Sequence, residues 1–75
     1  LTMQAGDAGI VSIYISKDDK LQKVYESTGF AGRETIKIQP GQYQVVFRPN
    51  RNKRATATRV FKTEVFSGRN SNLRF

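Results

Sequence analysis

The densest chemical feature of the chain is a run of cations. Arg48, Arg51, Lys53, Arg54, Arg59 and Lys62 place six bases in fifteen residues with no acid between them. Arginine and lysine at this density can hold phosphates or an acidic partner surface. The same run also reads as a solvated loop and strand edge that keeps a β-rich domain from aggregating. No RNP-like, helix-turn-helix or KH pattern accompanies it, so base readout has no support. Asp18-Asp19 suggests a cation site, but two adjacent acids flanked by Lys17 and Lys20 make a poor oxygen cage.

Catalysis has less to stand on. The chain contains no His and no Cys. That removes His-based triads, thiol nucleophiles, zinc fingers, thiolate metal centres and disulfide frameworks. Serines are present, yet none opens a Ser-x-x-Lys motif. The carboxylates needed for glycoside hydrolysis would have to come from turn acids. The expectation is a protein that is not an enzyme, with no catalytic residue, no metal and no cofactor.

Aromatics are the other candidates. Tyr43, Phe47, Phe61 and Phe75 could form a base-stacking platform, but Tyr43 and Phe47 sit at period two beside Val45, which marks them as core. Tyr14 falls on the face opposite Val11, Ile13 and Ile15. If that face points outward, Tyr14 is a candidate interface residue, since tyrosine is enriched at contacts. A lone surface tyrosine is the plainer reading.

The elements that must position these groups are strands. Val11, Ile13 and Ile15 share one face, and Ser12, Tyr14 and Ser16 the other. Lys17 to Lys20 reads as a polar turn, with Leu21–Glu26 returning as the second arm of a hairpin. Ser27-Thr28-Gly29 breaks that run. Thr35–Ile38 alternates again. Gln39-Pro40-Gly41 has the residues of a type II turn, with Gly41 supplying positive φ. Tyr43, Val45 and Phe47 follow at period two. Pro49–Arg54 reads as a loop, residues 56–66 as a strand rich in β-branched and aromatic side chains, and Leu73 with Phe75 as a last inward pair.

Six or seven short strands spaced about ten residues apart, with no helical stripe, predict an all-β fold: a small antiparallel β-sandwich, prealbumin-like or Ig-like. The predicted core is Met3, Val11, Ile13, Ile15, Ile36, Ile38, Tyr43, Val45, Phe47, Phe61, Val65, Leu73 and Phe75. A chain of 75 residues is one domain, residues 1–75, burying roughly 60% of its unfolded surface. No apolar stretch is long enough to span a bilayer.

The formal charge of +7 is unevenly placed. Residues 1–47 carry five acids and five bases, while residues 48–75 carry eight bases and only Glu64. The excess therefore belongs to the C-terminal part, which points toward nucleic acid, anionic lipid or an acidic partner, or toward solubility alone.

Pro40-Gly41-Gln42-Tyr43-Gln44-Val45, preceded by Ile36 and Ile38, resembles the "L-x-PG-x-Y-x-V" signature of transthyretin-like β-sandwiches. These include carboxypeptidase regulatory-like domains, PEGA domains and collagen-adhesin B-type repeats. The chain is also similar to accessory β-domains that follow von Willebrand A-type domains in bacterial surface or periplasmic proteins. The resemblance covers most of the chain. It implies an extracytoplasmic, bacterial, non-catalytic module that acts as a spacer or binds a protein, a glycan or an anionic partner. Collagen-adhesin repeats often carry a Lys–Asn isopeptide. Asn70 and Asn72 lie late enough, and Glu26 or Glu34 could assist, but residues 1–16 contain no Lys.

The chain opens on Leu1, shows no signal-peptide pattern and closes on Phe75 within an expected strand. The expectation is a domain from a larger multidomain protein, monomeric when isolated. Nucleic acid or another polyanion bound through residues 48–62 is the alternative reading.

Overall fold

The computed structural model describes residues 1–6, 8–49 and 58–75. The described residues form seven strands and no helix: β1 (Thr2–Gln4), β2 (Gly9–Lys17), β3 (Lys20–Phe30), β4 (Arg33–Thr35), β5 (Gly41–Pro49), β6 (Arg59–Val65) and β7 (Asn72–Arg74). They build a three-stranded sheet in the order β4-β1-β7 and a four-stranded sheet in the order β3-β2-β5-β6. Pairing is antiparallel throughout except between β1 and β7, which run parallel. The fold is a small β-sandwich.

Alternation makes the core. Val11 and Ile13 of β2 are fully buried, as are Val45 of β5 and Met3 of β1, while Tyr43 and Phe47 are nearly so. In-register pairs carry one apolar face across the large sheet: Val11 with Phe47, Ile13 with Val45, Val45 with Phe61. Every predicted core residue is buried or packed against the core, and Leu1, Ala5 and Phe30 join them. The rings of Phe30, Phe47, Phe61 and Phe75 gather between the sheets. Phe47 and Phe75 stack at 4.7 Å, and Phe30 meets both edge-on at 6.1 and 5.9 Å. Such geometry adds to the area term of aromatic burial. These rings are core, not a stacking platform.

Three local expectations change. β3 does not end at Glu26 but continues through Ser27-Thr28-Gly29 to Phe30, with Ser27 opposite Val11 and Phe30 opposite Gly9. Two register shifts absorb the irregularity, one of which leaves Val24 unopposed between Tyr25 and Lys23. A bulge of this kind bends the strand without ending it, and burial of Phe30 outweighs the weak strand preference of Gly29. Second, β4 is Arg33–Thr35 rather than 35–38. Ile36 still donates its backbone N–H to Leu1 O at 2.9 Å, and Ile36 and Ile38 pack against the core. Third, Gly41 does not adopt positive φ; among the described glycines Gly32 and Gly68 do. Gly41 instead opens β5, where a Cβ would touch Tyr43 and Ile15 at ordinary distance.

Tyr43 explains the residues around that turn. Its hydroxyl donates to the carbonyl of Gln39 at 2.5 Å. This clamps the turn from inside, in the manner of the tyrosine corners of other sandwiches. The polar turn at residues 17–20 forms as expected: Lys17 pairs Lys20, and Asp18 and Asp19 both take left-handed φ, 52° and 62°. Positive φ at both central residues is the type I′ hairpin geometry, which matches the strand twist. The strand expected over 56–66 is β6, Arg59–Val65; residues 56 and 57 and most of the expected 49–54 loop lie outside the described residues.

Candidate functional site

The outer face of the four-stranded sheet carries three of the sequence-predicted residues, Tyr14, Arg48 and Lys62. Across its strands the register aligns Lys23, Tyr14, Gln44 and Lys62 in one row, and Glu26, Ser12, Val46 and Val60 in the next. Tyr14 is half-buried on this outward face, with the Lys23 ammonium 6.0 Å from its ring centroid, at the limit of cation–π attraction. Lys23 also pairs with Glu26 at 2.9 Å, and Ser12 donates to the same Glu26 oxygen at 3.2 Å.

Charge follows from these contacts. The Lys23 hydrogen bond, helped by Ser12 and the Lys23 charge, holds the Glu26 carboxyl below the usual glutamate range. Glu26 in turn raises the Lys23 ammonium. Arg48 lies near enough to favour the Glu26 anion slightly.

Of the six candidate cations, the three that are described do not share one face. Arg48, opposite Ile10, and Lys62, opposite Gln44, are exposed on the outward face. Arg59 lies opposite Phe47, so alternation turns it to the other side of the sheet, where it is exposed at the strand start. Arg51, Lys53 and Arg54 lie outside the described residues. A groove of about 400 Å³ runs between Ser16, Leu21, Gln42, Gln44, Lys62 and Glu64 at the far end of this face.

Groups with chemical potential elsewhere are engaged in fastening strands. Tyr25 of β3 donates to Glu34 of β4 at 2.9 Å, and Ser27 reaches the second Glu34 oxygen at 3.4 Å. These bonds tie the edge of one sheet to the edge of the other. Desolvation, then the Glu34 hydrogen bond, pushes the Tyr25 phenol above its ordinary value. Buried Thr2 shares a 3.0 Å hydrogen bond with the Thr35 hydroxyl and accepts one from the Asn70 amide at 2.8 Å. Asn70, named above for an isopeptide, is therefore held by Thr2. Among the described residues no three of His, Cys, Asp or Glu come together, and none forms a helix able to cross a membrane.

No family model, curated protein or solved structure matches the chain. The resemblance to transthyretin-like sandwiches thus rests on the residues that carry it.

Sequence reasoning passes over one further group. Arg33, Gln4 and Arg74 align across β4, β1 and β7 on the outer face of the small sheet. Residues 4, 33 and 74 share no local pattern, and only the crossover order of this sheet brings them side by side. A strand assignment at 72–74 with parallel pairing to 2–4 is the signal that would have found them.

Proposed function

We propose that the chain is a non-catalytic β-sandwich module of a larger extracytoplasmic bacterial protein, serving as a spacer or as a domain that binds a protein or glycan. The observation that carries this reading is the use made of its polar side chains. Tyr25, Ser27 and Glu34 lace the sheet edges, Thr2, Thr35 and Asn70 lace the small sheet, and Tyr43 clamps a turn. Polar chemistry spent on rigidity is what a load-carrying or presenting domain requires. The PG-x-Y-x-V resemblance supports the same reading and supplies its compartment.

One end of the sandwich offers the contact such a module needs. Phe66 is half exposed and borders a cleft of about 550 Å³ lined by Leu1, Ile36, Ile38, Pro40 and Val65. A cleft with this apolar floor, bordered also by Lys37, Arg69 and Asn70, beside an exposed phenylalanine suits a protein contact. The test is amide hydrogen exchange in the isolated domain and in the complete protein that carries it. Amides near Phe66 and Ile36–Ile38 should slow by about tenfold or more in the complete protein. Equal exchange in both contexts overturns the contact.

A second reading, binding of nucleic acid or another polyanion through residues 48–62, is favoured by the shared outward face of Arg48 and Lys62. It requires oligonucleotide retention that falls steeply with salt. Absence of retention at ~50 mM salt ends it.

A further inference from the structure

The outer face of the three-stranded sheet has a composition unlike the rest of the molecule. Two in-register rows cross it: Arg33, Gln4 and Arg74, then Thr35, Thr2 and Asn72. Each row runs through β4, β1 and β7. The face therefore presents two guanidinium groups, two amides and the Thr35 hydroxyl, and no carboxylate among the described residues, while Thr2 is buried with its hydroxyl engaged by Thr35 and Asn70. Thr2, Gln4, Arg33, Asn72, Leu73 and Arg74 line a small cleft of about 200 Å³.

Glu34 follows Arg33 directly, yet it does not neutralise it. Strand alternation sends Glu34 to the inner side, where Tyr25 and Ser27 occupy both its oxygens. The described ion pair, Lys23 with Glu26, belongs to the other sheet. Neither Arg33 nor Arg74 has an acidic partner among the described residues.

Adjacent strands lie about 4.8 Å apart, so the β4 and β7 backbones are roughly 10 Å apart with β1 between them. That distance is within about one Debye length at ordinary salt, so the two cations repel. It is also short enough for both guanidinium groups to lean over Gln4 onto one ligand. Guanidinium forks match the paired oxygens of sulfate and phosphate.

We infer that this face binds a single tetrahedral oxyanion, clamped by Arg33 and Arg74 above the Gln4 amide, and carried as a sulfate or phosphate monoester on a saccharide. The Thr35 hydroxyl and Asn72 amide in the adjoining row suit sugar hydroxyls. The inference deepens the binding-module reading and rests on it. It names the ligand class and a face distinct from both the Phe66 end and the 48–62 run.

The test is a ¹H–¹⁵N NMR titration of the 75-residue chain in low-salt buffer. The probes are inorganic phosphate, inorganic sulfate and glucose 6-phosphate, with sodium chloride and glucose as references. Saturable shifts at Gln4, Arg33, Asn72 and Arg74, with dissociation constants on the order of millimolar for the inorganic ions, support the site. Tighter binding of glucose 6-phosphate than of phosphate supports the saccharide. Arg33→Gln with Arg74→Gln should weaken binding by about tenfold or more while spectral dispersion is retained. Both side chains are exposed, and the single variants provide folded controls. Shifts no larger than those with chloride, shifts confined to residues 48–62, or an unchanged response in the double variant would each overturn the site. If the site fails while exchange protection at the Phe66 end persists, the module reading stands without it.

Discussion

Tyr25 and Glu34 lie on different sheets and are joined by a 2.9 Å hydrogen bond at the sandwich edge. Because the bond crosses between layers, it fixes how the two sheets sit over one another, a task that in-sheet ladders cannot perform. Tyr25→Phe should lower stability by about 1 kcal/mol, the net worth of one such bond, with the urea m-value unchanged. The pH signature is separate. The folded state holds the phenol above its ordinary value, so it favours the neutral form. Its contribution is complete below the unfolded value near 10 and is lost as pH rises through the higher folded value. Urea midpoints measured from neutral pH into that alkaline window should fall more steeply in the parent than in Tyr25→Phe. Parallel slopes would remove the linkage.

Gly9 allows no side chain. A Cβ there would stand 2.3 Å from the Arg48 carbonyl oxygen and 2.8 Å from Phe47. The first obstacle is backbone of β5, so relief requires moving β2 away from its partner. Gly9→Ala should cost about 2–4 kcal/mol, whereas Gly29→Ala, with open space around the site, should cost far less. Thermal denaturation of the two variants side by side decides it.

The Asp18–Asp19 turn has room for improvement. Both residues hold left-handed φ, which L-residues other than Asn and Asp adopt at a penalty of about 1–2 kcal/mol. Asp19→Gly should stabilise by about 0.5 kcal/mol, and Asp18→Ala should destabilise by about 1 kcal/mol. Chemical denaturation at fixed ionic strength separates the turn effect from the altered charge.

Glu26 should titrate below an ordinary glutamate when followed by carboxyl ¹³C shifts. Its carboxylate is favoured by Lys23 and Ser12, so the associated stability is present above the unfolded value and lost as pH falls through the folded one. Lys23→Met should return the midpoint toward the usual range, and Ser12→Ala should do so by a smaller step. Added salt should narrow the difference, since the pair is exposed to solvent.

Period-two alternation marked the inward set of β2 and β5 correctly, because Val11, Ile13, Tyr43, Val45 and Phe47 each have at least one polar neighbour, with Ser12, Gln42, Gln44 and Arg48 falling between or beside them. Phe30 escaped that reading although it is fully buried. It stands between Gly29 and Ala31, in a stretch whose glycines signal a turn, and its burial depends on Gly9 and Phe47 across the chain. The Gly41 expectation failed for a related reason. Tyr43, four residues beyond Gln39, fastens the turn through its hydroxyl, so the backbone does not need the left-handed glycine. Of the candidate site, the outward placement of Tyr14 was readable from alternation alone. The Arg33–Gln4–Arg74 row was not, since it exists only after strands from the start, the middle and the end of the chain are laid side by side.

The parallel pairing of β1 with β7 has a mechanical consequence. Thr2 donates to Ser71 and Phe75 donates to Gln4, each at 2.8 Å, so the first and last strands are bonded along their length. Because they run the same way, a pull applied through Leu1 and Phe75 draws them lengthwise past one another. The bonds between them then share the force and must break together, instead of opening one by one as in an antiparallel hairpin pulled from its open end. Stretching between Leu1 and Phe75 therefore loads these bonds in shear, along the strands instead of across them.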